Sequence, residues 1–188
     1  TAELGMSRTP IRGALRWFRH DGLLQWIPGK GSVVYGASLH DIEEIFDIKE
    51  SLEGTVARLA ARRRPKDAIV GLEAAVQAMR EAVEKEDHEA WRQADAAFHH
   101  LFAAAGNKRA AEIIRNLNEQ WHRLRVGLMA LDGRTRESTE EQLRILEAIK
   151  VGDEKAAEQA MREHLARLRR VLLTLVRNLI LPYVGENL

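Results

Sequence analysis

The sequence predicts a mainly α protein in two unequal parts: a short unit of helix and β-hairpin, then an all-α bundle of six helices. Three observations carry this. Two of the four prolines, Pro10 and Pro28, fall in the first 37 residues together with Gly29, Gly31 and Gly36. Residues 1–37 hold five basic and two acidic side chains, a formal charge of +3, against 24 basic and 26 acidic, or −2, in the remaining 151. Beyond Ser38 the apolar residues recur at three–four spacing, with no convincing alternating run. Two domains are expected, over residues 1–37 and 38–188.

Composition narrows the field. The 188 residues are 45% hydrophobic and 30% charged, which fits a folded, helix-rich chain rather than a disordered one. With no cysteine, disulfides, thiolate zinc sites, iron–sulfur ligation and a cysteine nucleophile are excluded. No apolar run reaches the ~18–20 residues that a membrane span needs, and no secretory signal opens the chain. A cytoplasmic location without membrane contact is therefore expected.

The chain opens on Thr1-Ala2-Glu3-Leu4-Gly5-Met6, which reads as the end of a helix closing at Gly5. An N-terminal portion is therefore expected to be missing. Ser7 is a suitable N-cap for the next helix, and Pro10 fits its first turn, where a missing N–H costs little. Ile11, Leu15 and Phe18 share one face, with Arg8, Thr9, Arg12, Arg16 and Arg19 on the others. Asp21-Gly22 stops the helix. Leu23–Ile27, the turn Pro28-Gly29-Lys30-Gly31 and Ser32–Tyr35 then read as strand, turn, strand.

Helix, short turn, helix and hairpin is the order of a winged helix-turn-helix. Its recognition helix presents N-terminal residues to base edges, where Arg can pair twice with guanine and Thr can touch a thymine methyl. The narrow, cationic Gly29-Lys30-Gly31 turn suits a wing tip. An amphipathic helix with a solvated arginine face would share much of this pattern.

The string Ala2–Leu15 (AELGMSRTPIRGAL), followed by Asp21-Gly22-Leu23 and Pro28-Gly29-Lys30-Gly31, resembles the DNA-binding half of GntR-family transcriptional regulators. That resemblance implies a dimer on a palindromic operator and a response to small metabolites. It places DNA contacts on Ser7, Arg8, Thr9, Arg12 and Arg16 of the helix and on Lys30 and Gly31 of the wing. Gly13 stands where an acidic residue is more usual, and Gly inside a helix costs about 1 kcal/mol relative to Ala.

The six helices of the second part are expected over Leu39–Arg63, Lys66–Lys85, His88–Ala105, Lys108–Leu131, Arg136–Val151 and Asp153–Tyr183. Pro65, Glu86-Asp87, Gly106-Asn107, Asp132-Gly133 and Gly152 supply the breaks, with Ser38 and Asp153 as N-caps. The last helix aligns Met161, Leu165, Leu168, Leu172, Leu175 and Leu179 in one apolar seam.

A few polar residues interrupt the inward faces. Asp95 and His99 lie four apart on a face shared with Trp91, Ala94, Phe98 and Phe102. His164 flanks the Met161 seam, and Gln142 is in line with Ile145, Leu146 and Ile149. One carboxylate and two imidazoles from neighbouring helices could converge on a divalent metal, and such donors suit Zn, Ni, Mn or Fe. The same spacing serves an ordinary Asp–His hydrogen bond. His100 is expected to point outward, and His40, His88 and His122 to lie at the surface or in caps.

Asp95–Leu101 with Gly106-Asn107, Glu140–Asp153, and Met161–Leu165 are similar to the ligand-binding domain of the FadR subfamily and its VanR-like branch. Many members of that subfamily hold a metal with one Asp and three His, and anchor a carboxylate ligand beside it. The resemblance implies metal ligation by Asp95, His99 and His164, with Gln142 in place of the remaining histidine; its neutral carbonyl oxygen is a weaker donor than imidazole. It also places Lys49 where an arginine is common, able to pair with an anionic effector as a point charge. Asn118, Trp121 and Arg125 are pocket candidates from helix position alone.

The sequence therefore points to a non-enzymatic regulator: a repressor released from operator DNA by a small organic acid, bound near a metal in a homodimeric sensor. Two alternatives stand beside it. A helical metalloenzyme is disfavoured because only Glu119-x-x-His122 of the paired Glu-x-x-His pattern is present. A dimerisation bundle without ligand predicts a solid hydrocarbon interior.

Overall fold

The computed structural model describes residues 24–27, 31–34, 39–129, 134–175 and 177. Two strands, β1 (Leu24–Ile27) and β2 (Gly31–Val34), form an antiparallel hairpin with Leu24 opposite Val34 and Ile27 opposite Gly31. Gly31, expected at the turn, opens the second strand. The expected recognition helix, with Ser7, Arg8, Thr9, Arg12 and Arg16, lies outside the described residues, as does Lys30.

Six helices follow among the described residues: α1 (Leu39–Arg63), α2 (Lys66–Glu84), α3 (His88–Gly106), α4 (Lys108–Met129), α5 (Arg134–Val151) and α6 (Glu154–Leu175). The segment from Asn178 onward, whose first part the sequence placed in the last helix, lies outside the described residues, and so does Ser38. α5 begins two residues earlier than expected, at Arg134 rather than Arg136.

One capping device closes two of the helices. At the end of α2, Glu86 takes a left-handed φ of 53°, and the Asp87 N–H reaches back to the Ala82 carbonyl at 2.9 Å. At the end of α5, Gly152 takes φ 79° and the Asp153 N–H donates to the Ala148 carbonyl at 3.0 Å. Both are Schellman closures, which satisfy carbonyls that the helix end leaves open. Each aspartate then starts the next helix: Asp87 Oδ1 accepts from the Ala90 N–H, and Asp153 Oδ1 from the Ala156 N–H, both at 2.9 Å.

The helices wrap one hydrophobic core. α1 packs most extensively on α6 and also meets α3, α4 and α5, while α2 lies against α3. Ile42 and Phe46 of α1, Phe98 and Phe102 of α3, Ile145 and Ile149 of α5, and Met161, Leu165 and Leu172 of α6 are buried in it. The predicted seam of α6 is therefore inward from Met161 to Leu172. Gly106 closes α3 against α1 so tightly that a Cβ there would run into the Val56 carbonyl. That close approach sets the spacing between α1 and the end of α3.

Candidate functional site

A polar centre sits inside this hydrocarbon core, built from five helices. α1 supplies Lys49 and Glu53, α3 Asp95 and His99, α4 Asn118, α5 Gln142, and α6 His164. Lys49, Glu53, Asp95, Gln142 and His164 are each at most 2% exposed. Each stands on a helix face otherwise given to apolar residues, which is why helical periodicity carries it inward.

The residues singled out as metal ligands are brought together, but by direct hydrogen bonds. The Gln142 amide Nε2 donates to Asp95 Oδ1 at 2.6 Å and lies 3.5 Å from His99 Nε2. The amide is oriented by electrostatics: a carbonyl oxygen facing Asp95 would set two acceptors against each other. The rings of His99 and His164 are 6.0 Å apart. His164 Nδ1 is 2.6 Å from Glu141 Oε2, so it carries the proton and donates, leaving Nε2 as an acceptor turned inward.

Lys49 and Asn118, proposed for the effector, also meet here. The Lys49 ammonium donates to Asn118 Oδ1 at 2.5 Å and to Glu53 Oε1. Trp121 and Arg125 lie on the α4 backbone, and their side chains fall outside the described part of the structure. His100 is exposed, and His40 is exposed beside Glu44 at 3.3 Å, both as expected. His88, also exposed, opens α3.

Glu53 and a second group around Glu141 were missing from the sequence reading. Glu141 accepts from Arg134 through both oxygens, at 3.2 and 3.1 Å, and from Arg167 at 2.6 Å, besides holding His164. A signal for each existed. Glu53 is four residues from Lys49, and Glu141, Ile145 and Ile149 repeat every four residues on α5. Both patterns also describe a solvated helix face, so neither could be separated from surface charge.

The electrostatics follow from burial and pairing. Burial works against the Glu53 carboxylate, but chiefly the Lys49 charge and hydrogen bond outweigh it and hold the group below its usual value. Glu141 is likewise penalised by burial, yet His164 and Arg134 bring it down to about 2. Burial dominates for His99 and pushes it down to about 4 against the attraction of Glu53. Burial also lowers His164, more than Glu141 raises it. Both imidazoles are neutral at physiological pH.

These side chains do not fit a metal as they are placed. The Gln142 NH2 group lies against both Asp95 Oδ1 and His99 Nε2, which are 3.6 Å apart, and already satisfies Asp95 Oδ1. Among the described residues, no group of three or more His, Cys, Asp or Glu side chains could hold a metal ion. Glu53 Oε2, His99 Nδ1, Gln142 Oε1 and His164 Nε2 are buried without a hydrogen-bond partner, which is costly unless something else fills the need.

Comparison with known proteins places the bundle in context. A model of the FCD domain matches residues 44–167. The chain is 30% identical over 171 residues to a probable D-xylose utilization operon transcriptional repressor of Paenarthrobacter nicotinovorans, covering 88% of this chain and 73% of that one. An uncharacterized HTH-type transcriptional regulator of Agrobacterium vitis is 40% identical over 105 residues, 54% of this chain and 61% of its own length. Among solved structures, Escherichia coli McbR/YncC superposes with a TM-score of 0.67 at 23% identity, over 91% of this chain and 82% of that one. Among the described residues, no helix is long and apolar enough to cross a membrane.

Proposed function

The chain belongs to the FCD-domain family of GntR-type transcriptional regulators, and from that premise we propose that it couples a small metabolite to operator DNA. The observation that carries this reading is the polar centre itself. Five helices bury charged and polar side chains in a hydrocarbon core and leave four of their atoms without partners. A purely structural bundle gains nothing from that expense, whereas a receptor recovers it on binding. The relatives are regulators and not enzymes, and among the described residues the site carries none of the nucleophile–base pairs that group transfer needs.

The mechanism is linkage. A ligand that binds one arrangement of the helices better than another shifts their populations, and the shift reaches the DNA-reading heads of a homodimer. We assign residues 1–37 to the DNA-binding part and 38–188 to the sensor and dimerisation part. In the first, Arg8, Thr9, Arg12 and Arg16 face the duplex with Ser7 at the helix start, and Lys30 and Gly31 form the wing contact. In the second, Lys49 and Asn118 border the ligand site, Lys49 holding the Glu53 carboxylate in place, with Trp121 and Arg125 on the adjoining stretch of α4. Release of a repressor from a palindromic operator in the cytoplasm fits this arrangement.

Some FCD domains bind metals, and the resemblance implied an organic acid anchored on a divalent transition metal. The Gln142–Asp95 hydrogen bond argues against that version for this chain, and no step of the mechanism depends on it.

The test is a mobility-shift series with full-length protein on its own promoter. Arg12→Ala is expected to weaken specific binding by about 1–3 kcal/mol, and Lys30→Ala mainly to flatten the salt dependence. Equal operator affinity for wild type and Arg12→Ala would remove the DNA assignment.

A further inference from the structure

We infer that the polar centre is a metal-independent receptor for an uncharged, hydroxyl-rich metabolite, with the Gln142 carboxamide standing where a cation would otherwise bridge Asp95 and His99. This rests on the sensor reading above and specifies the ligand class of that site.

The inference comes from counting open donors and acceptors. The Gln142 NH2 group is directed at Asp95 and His99 Nε2, so Oε1 is left as an acceptor with no partner. His164 gives its Nδ1 proton to Glu141, so its open Nε2 accepts. Glu53 spends Oε1 on Lys49, and its open Oε2 accepts. On His99, Nε2 lies 3.5 Å from the Gln142 amide nitrogen, a contact that favours the tautomer with the proton on Nδ1, and Nδ1 has nothing to donate to. Its nearest carboxylate oxygen, Glu53 Oε2, is 3.8 Å away, too far for a hydrogen bond. The centre therefore offers three acceptors and one donor.

That pattern discriminates between ligand classes. A carboxylate brings acceptors only. It would meet three more, close to the charge of Glu53, while the Lys49 ammonium is already held by Glu53 and Asn118. An ammonium group satisfies the acceptors but gives the His99 N–H nothing to donate to. A hydroxyl does both: between His99 and Glu53 it accepts from the imidazole and donates to the carboxylate. Further hydroxyls donate to Gln142 Oε1 and His164 Nε2.

The test uses full-length protein treated with EDTA and titrated calorimetrically with ribitol, xylitol, arabinitol and mannitol, and with the matching aldonates, with and without Zn2+. We expect at least one alditol to bind without metal, the aldonates not to bind, and Zn2+ to add nothing. Gln142→Leu, which removes the acceptor but keeps the volume, should weaken alditol binding at least about tenfold. Gln142→His should take up one equivalent of zinc that EDTA removes, a readout independent of any ligand. Failure of every alditol would mean ordered water only at the centre and would overturn the inference. So would an aldonate that binds wild type through zinc. Operator binding by the same preparation separates the two levels. If it is retained, an overturning result refutes this inference alone; if folded wild type fails to bind its operator, the sensor reading falls with it.

Discussion

At the scale of single residues, the account turns on charges placed where hydrocarbon would be cheaper. Lys49 and Glu53 are 1% and 0% exposed and bind each other. Removing one partner strands the other, so Glu53→Leu is expected to cost about 3–5 kcal/mol in urea denaturation. Lys49→Met combined with Glu53→Leu should recover most of that loss. A double variant as unstable as the single one would show that the pair is not the unit. The neutral imidazoles predict a pH effect with a definite sign. His99, held at about 4 in the folded chain against 6.5 ordinarily, binds its proton more readily when unfolded. Stability should therefore fall, by an amount on the order of 2 kcal/mol, as pH drops from about 6.5 to about 4. Glu53, Lys49, Asp95, Gln142 and His164 surround that group from four helices. Thermal melts across this range check the direction, and a stability that rises toward pH 4 would refute it.

The candidate site was partly legible at this scale. Asp95, Gln142 and His164 were readable because each breaks an apolar stripe, and a polar side chain on an inward face is unusual. Lys49 drew attention through resemblance alone, although it shares a face with buried Ile42, Phe46 and Val56. Glu53 and Glu141 escaped because a buried carboxylate paired four residues away looks the same in sequence as a solvated one. The direct contact of Gln142 with Asp95 was equally invisible: two positions on inward faces do not reveal whether a cation or an amide joins them.

At the scale of elements, most boundaries followed from local chemistry. The extent of α1 was readable from Pro65, and Asp153 from its capping position. The start of α5 was not, because Arg134 and Thr135 are neither breakers nor strong starters. The two Schellman closures yield a paired prediction. Glu86 occupies a left-handed position that favours glycine, so Glu86→Gly should stabilise the bundle by about 0.5–1 kcal/mol. Gly152→Ala should cost about 1 kcal/mol or more, with its φ of 79° and a new Cβ 3.2 Å from the Arg64 side chain. Urea midpoints measure both, and like signs would contradict the argument. Gly106→Ala should cost about 1–3 kcal/mol by forcing α3 away from the Val56 carbonyl. Sequence marked Gly106 as a helix end; only the packed structure shows that it also lies against Val56 of α1.

At the scale of the whole molecule, the helical class and the six helices among the described residues were legible because three–four spacing is a strong signal over 20-residue stretches. Which faces meet was not, since every amphipathic helix can bury its stripe in several ways. Family resemblance closed part of that gap: it singled out Asp95, Gln142 and His164, which the structure brings into one centre with a direct Gln142–Asp95 hydrogen bond. The functional consequence is a receptor governed by hydrogen bonds rather than coordination. Its occupancy must then be felt by the DNA-reading part, because a ligand shifts an equilibrium only through its differential affinity for two states. The most direct test is operator binding by full-length protein, followed by fluorescence anisotropy before and after adding the alditol that calorimetry selects. The account predicts that the apparent Kd changes at least about fivefold for wild type and stays constant for Gln142→Leu. An operator affinity that remains fixed while calorimetry shows the centre filled would contradict it.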